Sequence, residues 1–420
     1  MSHVDVAVVG AGPAGLAAAA RIAETVRASV TVLDEGPVAG GRLRAQLYRR
    51  GSSWFVGAEH ARALSERADR LGVSLRMGTQ VWSIESLENP EGTPRFSLGL
   101  TGGDTLTADH LVIATGAAER TLGLPGWTLP GVLAVGAVQS MLNIHRVVPG
   151  DRIAVIGVDP LSLSIVDELA AAGHGVTGIY LPPPPPDTAE RGSSASGEIS
   201  GNAPSAVLRR LSHLRGLAPS GLLGAAMGAL AIPGVSALVA RLWPRRGMTV
   251  SGMPLHLREC VTSIDGESEV TGIRVAQVDA DGRPVGRERA VAVDTVCLSG
   301  GLYPLQDLTT GCALVDVAEL GGRVPLHGPN MQTNIDGLYV AGNVTGVESA
   351  EVARAQGALA GAAISAAIDG HDDSAALSSA RAEVETARAA APLTFEPTIA
   401  RGRRRMAELW RDSRLFGVRS

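Results

Sequence analysis

The stretch VDVAVVGAGPAGLAAAARIAETVRASVTVLD, residues 4–34, decides the fold of this chain. Its opening run, Val4–Val9, is mostly apolar and predicts a buried parallel strand. An alanine-rich helix is predicted over residues 16–26, and a second strand over Ser29–Leu33. Together the three segments predict a βαβ unit of the dinucleotide-binding kind.

Three glycines with the spacing GxGxxG stand where the strand meets the helix, and they are Gly10, Gly12 and Gly15. Gly10 permits the tight turn, Gly12 lets a pyrophosphate approach the backbone, and Gly15 lets the helix pack closely on the strand. The start of the helix offers N–H donors and partial positive charge to phosphates. Asp34 ends the second strand and is predicted to bind the ribose hydroxyls, with Glu35 as the alternative.

A second unit of this kind is predicted further along, with a strand at 152–156, a helix at 161–172 and a strand at 176–181. Here Asp159 and Ser162 stand where the second and third glycines would be. Asp159 followed by Pro160 suits the cap and first position of a helix, and a carboxylate there repels a pyrophosphate. The second strand ends without an acid for NAD or an arginine for a 2′-phosphate. NAD(P) binding by this unit is therefore disfavoured, and a structural relic of such a site is favoured.

A long insert is predicted after the second unit, over about residues 182–248. A Pro/Ser/Gly-rich stretch from Pro182 to about Ser205 predicts an exposed flexible loop, and residues 207–215 predict a short basic helix. Residues 216–240 carry no charge and are long enough to span a bilayer, but prolines and glycines interrupt them. Two interpretations remain open, namely helices buried in a packed insert and an apolar hairpin lying on a surface.

Alternating runs from Thr249 to about Val293 predict strands joined by hairpins, with turn signals at Asp265-Gly266 and Asp281-Gly282. Residues 291–299 predict one more strand, which ends at a pair of glycines. The chain therefore carries strands on both sides of the insert.

Composition and charge exclude several classes of function. The 420 residues hold 37 basic and 42 acidic side chains, for a net charge of −5, so nucleic acid is not an expected partner. All the basic residues are arginine, which excludes a Schiff-base or P-loop lysine. The three cysteines, Cys260, Cys297 and Cys312, have no metal-ligand spacing and form no CxxC. We expect them to be reduced and buried, and no metal site is predicted.

Further motifs carry a family resemblance. Gly40-Gly41-Arg42 follows the ribose acid, a strand ends in Ala114-Thr115-Gly116, and a late strand ends in Gly342-Asn343 before a predicted helix at 349–367. Together with the first unit, these resemble the two-dinucleotide-domain flavoproteins that include thioredoxin reductase, over residues 1 to about 370.

That resemblance implies a bound FAD and names the residues that hold it. The implied contacts are Gly10, Gly12, Gly15, Asp34, Gly40, Gly41, Thr115, Gly116, Gly342 and Asn343. Asn343 departs from the aspartate usual in the family, and its amide can either accept a hydrogen bond from a ribityl hydroxyl or donate one. Arg42 stands where the family often has glutamine, and it would either raise the flavin potential or pair with a phosphate.

A narrower resemblance lies in residues 114–132, 136–139 and 149–152. They are similar to the FAD subunits of cyanide-forming glycine dehydrogenase, opine oxidase and dye-linked proline or hydroxyproline dehydrogenase. The resemblance implies a hetero-oligomer in which an amino-acid-oxidase-like flavoprotein subunit oxidises the C–N bond. Some members carry a cysteine-rich 2Fe-2S segment near the C-terminus. This chain has no cysteine beyond Cys312, so a small iron–sulfur protein could supply that cluster as a further partner.

The expected architecture is an α/β fold with two Rossmann-like dinucleotide-binding domains, a discontinuous FAD domain and a helical insert in the second domain. The predicted boundaries are 1–120 and 290–372 for the FAD domain, 121–289 for the degenerate NAD(P)-type domain and 373–420 for a C-terminal tail. The segment from Arg401 to Phe416 is basic and carries Trp410. It is either a docking segment for another subunit or a solvated terminus.

The favoured function is an FAD-dependent oxidoreductase, as the FAD-binding subunit of a heteromeric amino- or imino-acid dehydrogenase. The alternatives are a stand-alone NAD(P)H-dependent flavin or ferredoxin reductase and a non-catalytic assembly subunit with a structural flavin. No catalytic base or nucleophile is identified, because the redox chemistry would belong to the cofactor. No basic targeting segment opens the chain, so the expected location is cytoplasmic, with membrane contact at most peripheral.

Overall fold

The computed structural model of the chain describes residues 2–50, 53–87, 95–184, 203–212, 228–250, 252–309, 311–370, 374–391 and 395–415. It divides into two compact units. The first comprises Met1–Arg44, Val56–Ala118 and Leu302–Ser420, and the second comprises Ala45–Phe55 and Glu119–Gly301. Elements are numbered below in chain order through both units.

The first unit is built on a sheet in which parallel pairing dominates. Its strands are β1 (Ser2–Val9), β2 (Val30–Asp34), β5 (Ser74–Met77), β6 (Val81–Ser86), β7 (Phe96–Leu100), β8 (Thr105–Ile113) and β21 (Leu338–Val340). The order is β5-β2-β1-β8-β7-β6, and β21 also pairs with β8. The β1, β2, β5 and β21 pairings are parallel, while β6 and β7 are antiparallel additions. The predicted strand–helix–strand start is therefore confirmed.

Small side chains let the helices of the first unit pack closely. These helices are α1 (Pro13–Thr25), α2 (Gly57–Arg70) and α7 (Ala350–Asp369). A β-carbon at Gly357 of α7 would overlap the carbonyl oxygen of Ala14 in α1, so only glycine allows the two helices to approach this far. The core of this layer is rich in alanine and valine, as the scarcity of aromatic residues predicts.

The segment predicted as a tail forms two helices that pack on the first unit. They are α8 (Ser374–Ala390) and α9 (Ile399–Leu415). Met406 and Trp410 of α9 are buried in a cluster with Leu320 and Leu326. Trp410 is 8% exposed, so its predicted role as an exposed docking residue is wrong. Phe416 lies outside the described residues.

The second unit has its own sheet, with strand order β10-β17-β11-β12-β14-β15-β16 and β13 paired to β14. The strands are β10 (Val132–Ala134), β11 (Ile153–Ile156), β12 (Val176–Leu181), β13 (Met248–Val250), β14 (Met253–Asp265), β15 (Gly272–Val278), β16 (Pro284–Ala292) and β17 (Thr295–Leu298). Strands β14, β15 and β16 form the predicted hairpins. The single strand predicted over 291–299 is wrong, because β16 ends at Ala292 and β17 is a separate parallel strand.

Shorter strand pairs complete both units. They are β3 (Leu47–Arg50) with β4 (Ser53–Val56), β9 (Ala117–Glu119) with β18 (Leu302–Pro304), and β19 (Leu314–Val317) with β20 (Gly322–Pro325). The β3–β4 hairpin was not predicted.

The helices of the second unit are α3 (Val135–Asn143), α4 (Pro160–Ala171), α5 (Pro204–Leu211) and α6 (Pro233–Leu242). Most of the predicted Pro/Ser/Gly-rich loop and the first half of the uncharged stretch lie outside the described residues. Helix α6 buries Ser236 and Ala240 and exposes Leu238 and Leu242. Among the described residues, every helix is too short or too polar to cross a membrane.

Candidate functional site

The turn between β1 and α1 uses its three glycines for different reasons. A β-carbon at Gly10 would overlap the carbonyl oxygen of Ala114, and one at Gly15 would overlap the carbonyl oxygen of Gly10. These two glycines are therefore required by packing within the chain. A β-carbon at Gly12 would meet no atom within 4 Å. Nothing within the described structure requires glycine at position 12, so the open space above it fits a ligand that approaches the backbone.

The start of α1 is open to a ligand in a second way. Gly12 is the N-cap residue of α1, and no side chain caps the helix in the described structure. Pro13 at the first position has no N–H, so the first donors belong to Ala14 and Gly15. Uncapped N–H groups at a helix start bind phosphate well. The residues present thus fit the pyrophosphate of a dinucleotide.

Asp34 lies against this turn. Its Oδ2 accepts from the Ala11 N–H at 2.7 Å, and its Oδ1 accepts from the Gly36 N–H at 2.7 Å. A carboxylate has about four lone-pair positions, so each oxygen retains room for a ribose hydroxyl. Glu35 points its side chain to solvent. The geometry therefore favours Asp34 over Glu35 as the ribose ligand.

Three further segments predicted to hold FAD surround the same helix start. In the first of them, Gly40 donates its N–H to Ala11 O at 2.7 Å, and a β-carbon at Gly41 would lie 3.2 Å from Gly12 Cα. Arg42 follows in a 3-10 helix and is exposed. The structure thus brings the glycine pair beside the first turn, as predicted.

Thr115 and Gly116 follow β8, which pairs with β1. Thr115 Oγ1 donates to Leu305 O at 2.6 Å, so its hydroxyl proton is committed within the first unit. Gly116 has φ +78° and open space at its β-carbon position. A side chain would fill this space, which is the same signature that Gly12 shows.

Gly342 and Asn343 meet α1 from the other side. A β-carbon at Gly342 would lie 2.9 Å from Ala14 Cβ. The Gly342 N–H donates to Gln356 Oε1 at 2.9 Å, and Asn343 Oδ1 accepts from the Glu348 N–H at 3.1 Å. Two segments more than 300 residues apart in sequence therefore flank one helix start.

A buried ion-pair network, which sequence reasoning missed, holds the loop that carries Asn343. Glu348 accepts from Arg388 Nε at 2.9 Å and pairs with Arg403 Nη2. Arg403 also donates to Thr345 O at 2.8 Å. Burial raises the pKa of Glu348, but the two guanidinium groups outweigh it and hold the pKa below its ordinary value. Burial lowers the pKa of Arg403 to about 10, so it stays charged at neutral pH.

In the second unit, the equivalent helix start is closed. Asp159 caps α4, and its Oδ1 accepts from the N–H groups of Leu161 at 2.8 Å and Ser162 at 3.0 Å. Its Oδ2 accepts from Ser299 Oγ at 2.6 Å. The predicted capping by Asp159 and Pro160 is confirmed. Because the carboxylate already uses the first-turn donors, these residues do not fit the pyrophosphate of a nicotinamide cofactor.

The strand end in the second unit is also occupied. Tyr180 stacks on His256 with ring centroids 4.5 Å apart. Glu259 is buried and accepts from His256 Nδ1 at 2.8 Å and from Arg289 Nη2 at 2.6 Å. Arg289 comes from the distant strand β16, so the sequence around Tyr180 does not reveal it. Its guanidinium is committed to Glu259.

A second buried carboxylate, Glu168 of α4, lies against α3. It is 2% exposed and accepts from Gln139 at 2.8 Å, Asn143 at 2.6 Å and Ser164 at 2.9 Å. Burial raises its pKa to about 7, although the three hydrogen bonds oppose the shift. Glu168 therefore titrates near neutral pH.

We predict a pH-dependent stability that originates in Glu168. Because its folded pKa lies above the ordinary 4.5, protonated Glu168 stabilises the fold below pH 4.5, and this contribution is lost as pH rises through about 7. The free energy of unfolding of Glu168→Gln should lack this decline, which is on the order of 3 kcal/mol. Chemical unfolding of both proteins between pH 4.5 and 8 measures the difference in slope. Glu59→Gln, on the exposed surface of α2, is the control and should keep the wild-type slope.

The cysteines offer no redox pair. Cys260, Cys297 and Cys312 are free and buried, as predicted. Burial raises the pKa of Cys260 and of Cys312 to about 11, and it also raises that of Cys297. Thiols of this kind are not thiolates at neutral pH and are poor nucleophiles.

One group of described residues brings metal-type ligand atoms together. The atoms of His3, Asp5 and Asp109 lie within 4.8 Å of one another. The group lies at the end of β1 that is remote from the glycine turn, and Asp5 already accepts from the N–H and hydroxyl of Ser29. It takes no part in the candidate cofactor site.

Comparison with known proteins gives the class that this geometry indicates. The family model described as pyridine nucleotide-disulphide oxidoreductase matches residues 4–188, and that of glucose inhibited division protein A matches residues 325–372. The chain is an FAD-dependent oxidoreductase of this class. The structure of L-proline dehydrogenase from P. horikoshii is similar, with a TM-score of 0.62 at 17% identity over 91% of this chain and 59% of that one. The predicted fold class is confirmed.

The particular family follows from the sequence relatives. One of the opine oxidase subunits of Rhizobium meliloti (strain 1021) is 31% identical over 94% of this chain and 78% of the relative. The corresponding opine oxidase chain of Agrobacterium tumefaciens (strain Ach5) is 29% identical over 85% of this chain. The match spans only 64% of the Agrobacterium protein's length. The chain belongs to the family of these opine oxidase subunits, which confirms the predicted resemblance.

Proposed function

We propose that this chain is the FAD-binding subunit of a heteromeric amino- or imino-acid dehydrogenase. The observation that carries the proposal is the contrast between two helix starts. The start of α1 is uncapped, with open space at Gly12, whereas the start of α4 is closed by Asp159. An FAD protein without a place for NAD(P)H needs electrons from another source. A partner subunit that oxidises an amine provides that source.

The first unit would then be the FAD-binding domain. The proposed contacts surround the start of α1 and are Gly10, Gly12, Gly15, Asp34, Gly40, Gly41, Thr115, Gly116, Gly342 and Asn343. When bound, FAD supplies the two-electron redox chemistry that the side chains lack. The chain's own residues bind the pyrophosphate at the helix start, accept from the ribose at Asp34 and hold the loop at Asn343.

The electron balance of the proposed reaction is simple. Oxidation of an amine C–N bond to C=N in the partner subunit releases two electrons and two protons. This chain takes the two electrons and passes them to an acceptor, which in an assay is a two-electron dye. A small iron–sulfur (2Fe-2S) protein is a further proposed member of the complex, because the three buried cysteines of this chain form no cluster in the described structure.

We predict that NADH and NADPH reduce the bound flavin slowly or not at all. The reason is that Asp159 uses the α4 donors and adds a carboxylate where a pyrophosphate would lie. Anaerobic stopped-flow absorbance of the FAD-loaded chain, mixed with either nucleotide at about millimolar concentration, measures this directly. Dithionite in a parallel mixing shows the full bleaching amplitude. Rapid bleaching by NADH would favour the alternative of a stand-alone NAD(P)H-dependent reductase.

The subunit role is tested by co-expression with an amino-acid-oxidase-like gene that neighbours this one. Co-purification of the two chains, with amino-acid-dependent dye reduction that neither chain performs alone, is the expected result. Full dehydrogenase activity of this chain by itself would contradict the proposal. The alternative of an assembly subunit with a structural flavin predicts activity that persists when this chain cannot bind FAD.

A further inference from the structure

We infer that Asn343 presents a hydrogen-bond donor to FAD and thereby sets the polarity of this part of the site. The inference rests on the proposed FAD site and assigns one of its residues a definite role. From the sequence alone, the amide of Asn343 can act in either direction. The contacts around it decide between the two.

The orientation of the Asn343 amide is determined by a backbone donor. The N–H of Glu348 points at the side chain of Asn343, and the distance to Oδ1 is 3.1 Å. An N–H group can be accepted only by the amide oxygen, so the Nδ2 group must occupy the other position. No partner of Nδ2 is found among the described residues. Asn343 is half-buried, so its NH₂ group has room to meet a ligand.

Neighbouring hydrogen bonds keep the loop in this arrangement. Gln356 Oε1 accepts from the N–H of Gly342 at 2.9 Å, on one side of Asn343. On the other side, Arg403 donates to Thr345 O at 2.8 Å and pairs with Glu348. The contacts of Arg403 are buried and charge-assisted, which makes them among the stronger hydrogen bonds of a protein. Asn343 therefore cannot reverse its amide without leaving the Glu348 N–H unpaired.

The donor selects what can lie opposite it. The part of a dinucleotide that would approach Asn343 offers oxygen acceptors, namely phosphate and ribityl oxygens. An aspartate at this position would keep the hydrogen bond from Glu348 N–H but would present a negative oxygen to the ligand. It would accept from hydroxyls and repel phosphate. The chain thus uses a neutral donor where the flavoproteins it resembles use an anionic acceptor.

The neutral side chain also affects redox behaviour. A flavin gains electrons on reduction, and a nearby carboxylate disfavours added negative charge in a site of low dielectric. Asn343 avoids this penalty. We therefore expect the midpoint potential of the bound flavin to fall when position 343 becomes acidic.

The test uses Asn343→Asp, which preserves the acceptor for Glu348 N–H and changes only the open group. We expect FAD to bind about tenfold more weakly or worse and the midpoint potential to become more negative. Asn343→Ala removes both groups and should weaken FAD binding without adding charge, so its potential should lie above that of the aspartate variant. Fluorescence titration of the apo protein and dye-coupled potentiometry measure the two quantities.

The outcomes separate this inference from the proposed function. If the wild-type chain binds no FAD, the proposed FAD site itself fails. If the wild type binds FAD and Asn343→Asp binds it equally well with an unchanged potential, the donor role of Asn343 is overturned. Thermal unfolding of each apo variant shows whether the fold is retained. Should the aspartate variant not fold, Asn343→Ala still decides, because unchanged FAD affinity in that variant also contradicts the inference.

Discussion

Replacing Gly12 by valine is expected to abolish FAD binding while leaving the apo protein folded. The backbone of Gly12, with φ −76° and ψ −177°, is one that valine adopts readily, and its β-carbon position is open. The added methyl groups would instead occupy the space where a pyrophosphate must approach the helix start. Loss of two hydrogen bonds to a charged group weakens binding by roughly 100-fold or more. Titration of the apo protein with FAD, followed by flavin fluorescence, measures the change.

Gly15 provides the matched control for this substitution. It belongs to the same motif, but a β-carbon there would overlap Gly10 O and lie 3.1 Å from Val8 Cγ1. Gly15→Ala is therefore expected to lower the free energy of unfolding of the apo protein by about 1–3 kcal/mol, whether or not FAD is present. If Gly12→Val destabilised the apo fold as much as Gly15→Ala, the separation of ligand and packing roles would be wrong.

Removing the carboxylate of Glu348 is expected to cause the largest loss of stability among single surface-remote substitutions in the first unit. Glu348→Ala leaves Arg403 buried and without its main ionic partner, and it leaves Arg388 with only an exposed one. Breaking a buried pair by removing one member costs about 3–5 kcal/mol, because the remaining charge is uncompensated. Urea unfolding at neutral pH measures the difference in free energy.

Glu385 is the matched control within the same cluster. It also pairs with Arg388, at 2.7 Å, but its side chain is 71% exposed. Glu385→Ala should therefore change the free energy of unfolding by less than about 1 kcal/mol. The lowered pKa of Glu348 adds a pH signature. Its stabilisation is present above the ordinary value of 4.5 and is lost as the pH falls through the lower folded value. Equal effects of the two substitutions would contradict the importance of burial here.

The parts of the fold that sequence predicts are those encoded by local pattern. The β1–α1–β2 unit combines an apolar run, a glycine turn and a helical stretch within 31 residues, so each segment reinforces the others. The capping of α4 by Asp159 is equally local, because the cap and the donors it binds lie within three residues. The β14–β16 hairpins follow from alternation and turn residues in the same way.

The parts that sequence does not predict depend on distant contacts. Glu348 and Arg403 are 55 residues apart, and neither has a neighbour in sequence that indicates a buried ion pair. Trp410 shows the same limit. A basic, aromatic segment is typical of a docking surface, but α9 turns this residue onto Leu320 and Leu326 instead. Which face of an amphipathic helix is buried depends on what packs against it, and that information lies elsewhere in the chain.

The different demands on Gly10, Gly12 and Gly15 illustrate the same point within a motif. The spacing GxGxxG predicts a phosphate-binding turn, and the residues are arranged as that prediction requires. Only the coordinates reveal that Gly10 and Gly15 are needed by neighbouring backbone and that Gly12 faces open space. Likewise, the sequence leaves the direction of the Asn343 hydrogen bond open, and the N–H of Glu348 resolves it.

The central claim is that FAD bound to this chain carries electrons from an amine-oxidising partner. The most direct measurement is amino-acid-dependent dye reduction by the co-expressed complex, with wild-type chain compared against Gly12→Val. The account predicts that both complexes assemble and that only the wild-type complex reduces the dye. Undiminished dye reduction by an assembled complex that carries Gly12→Val and lacks FAD in this chain would contradict it.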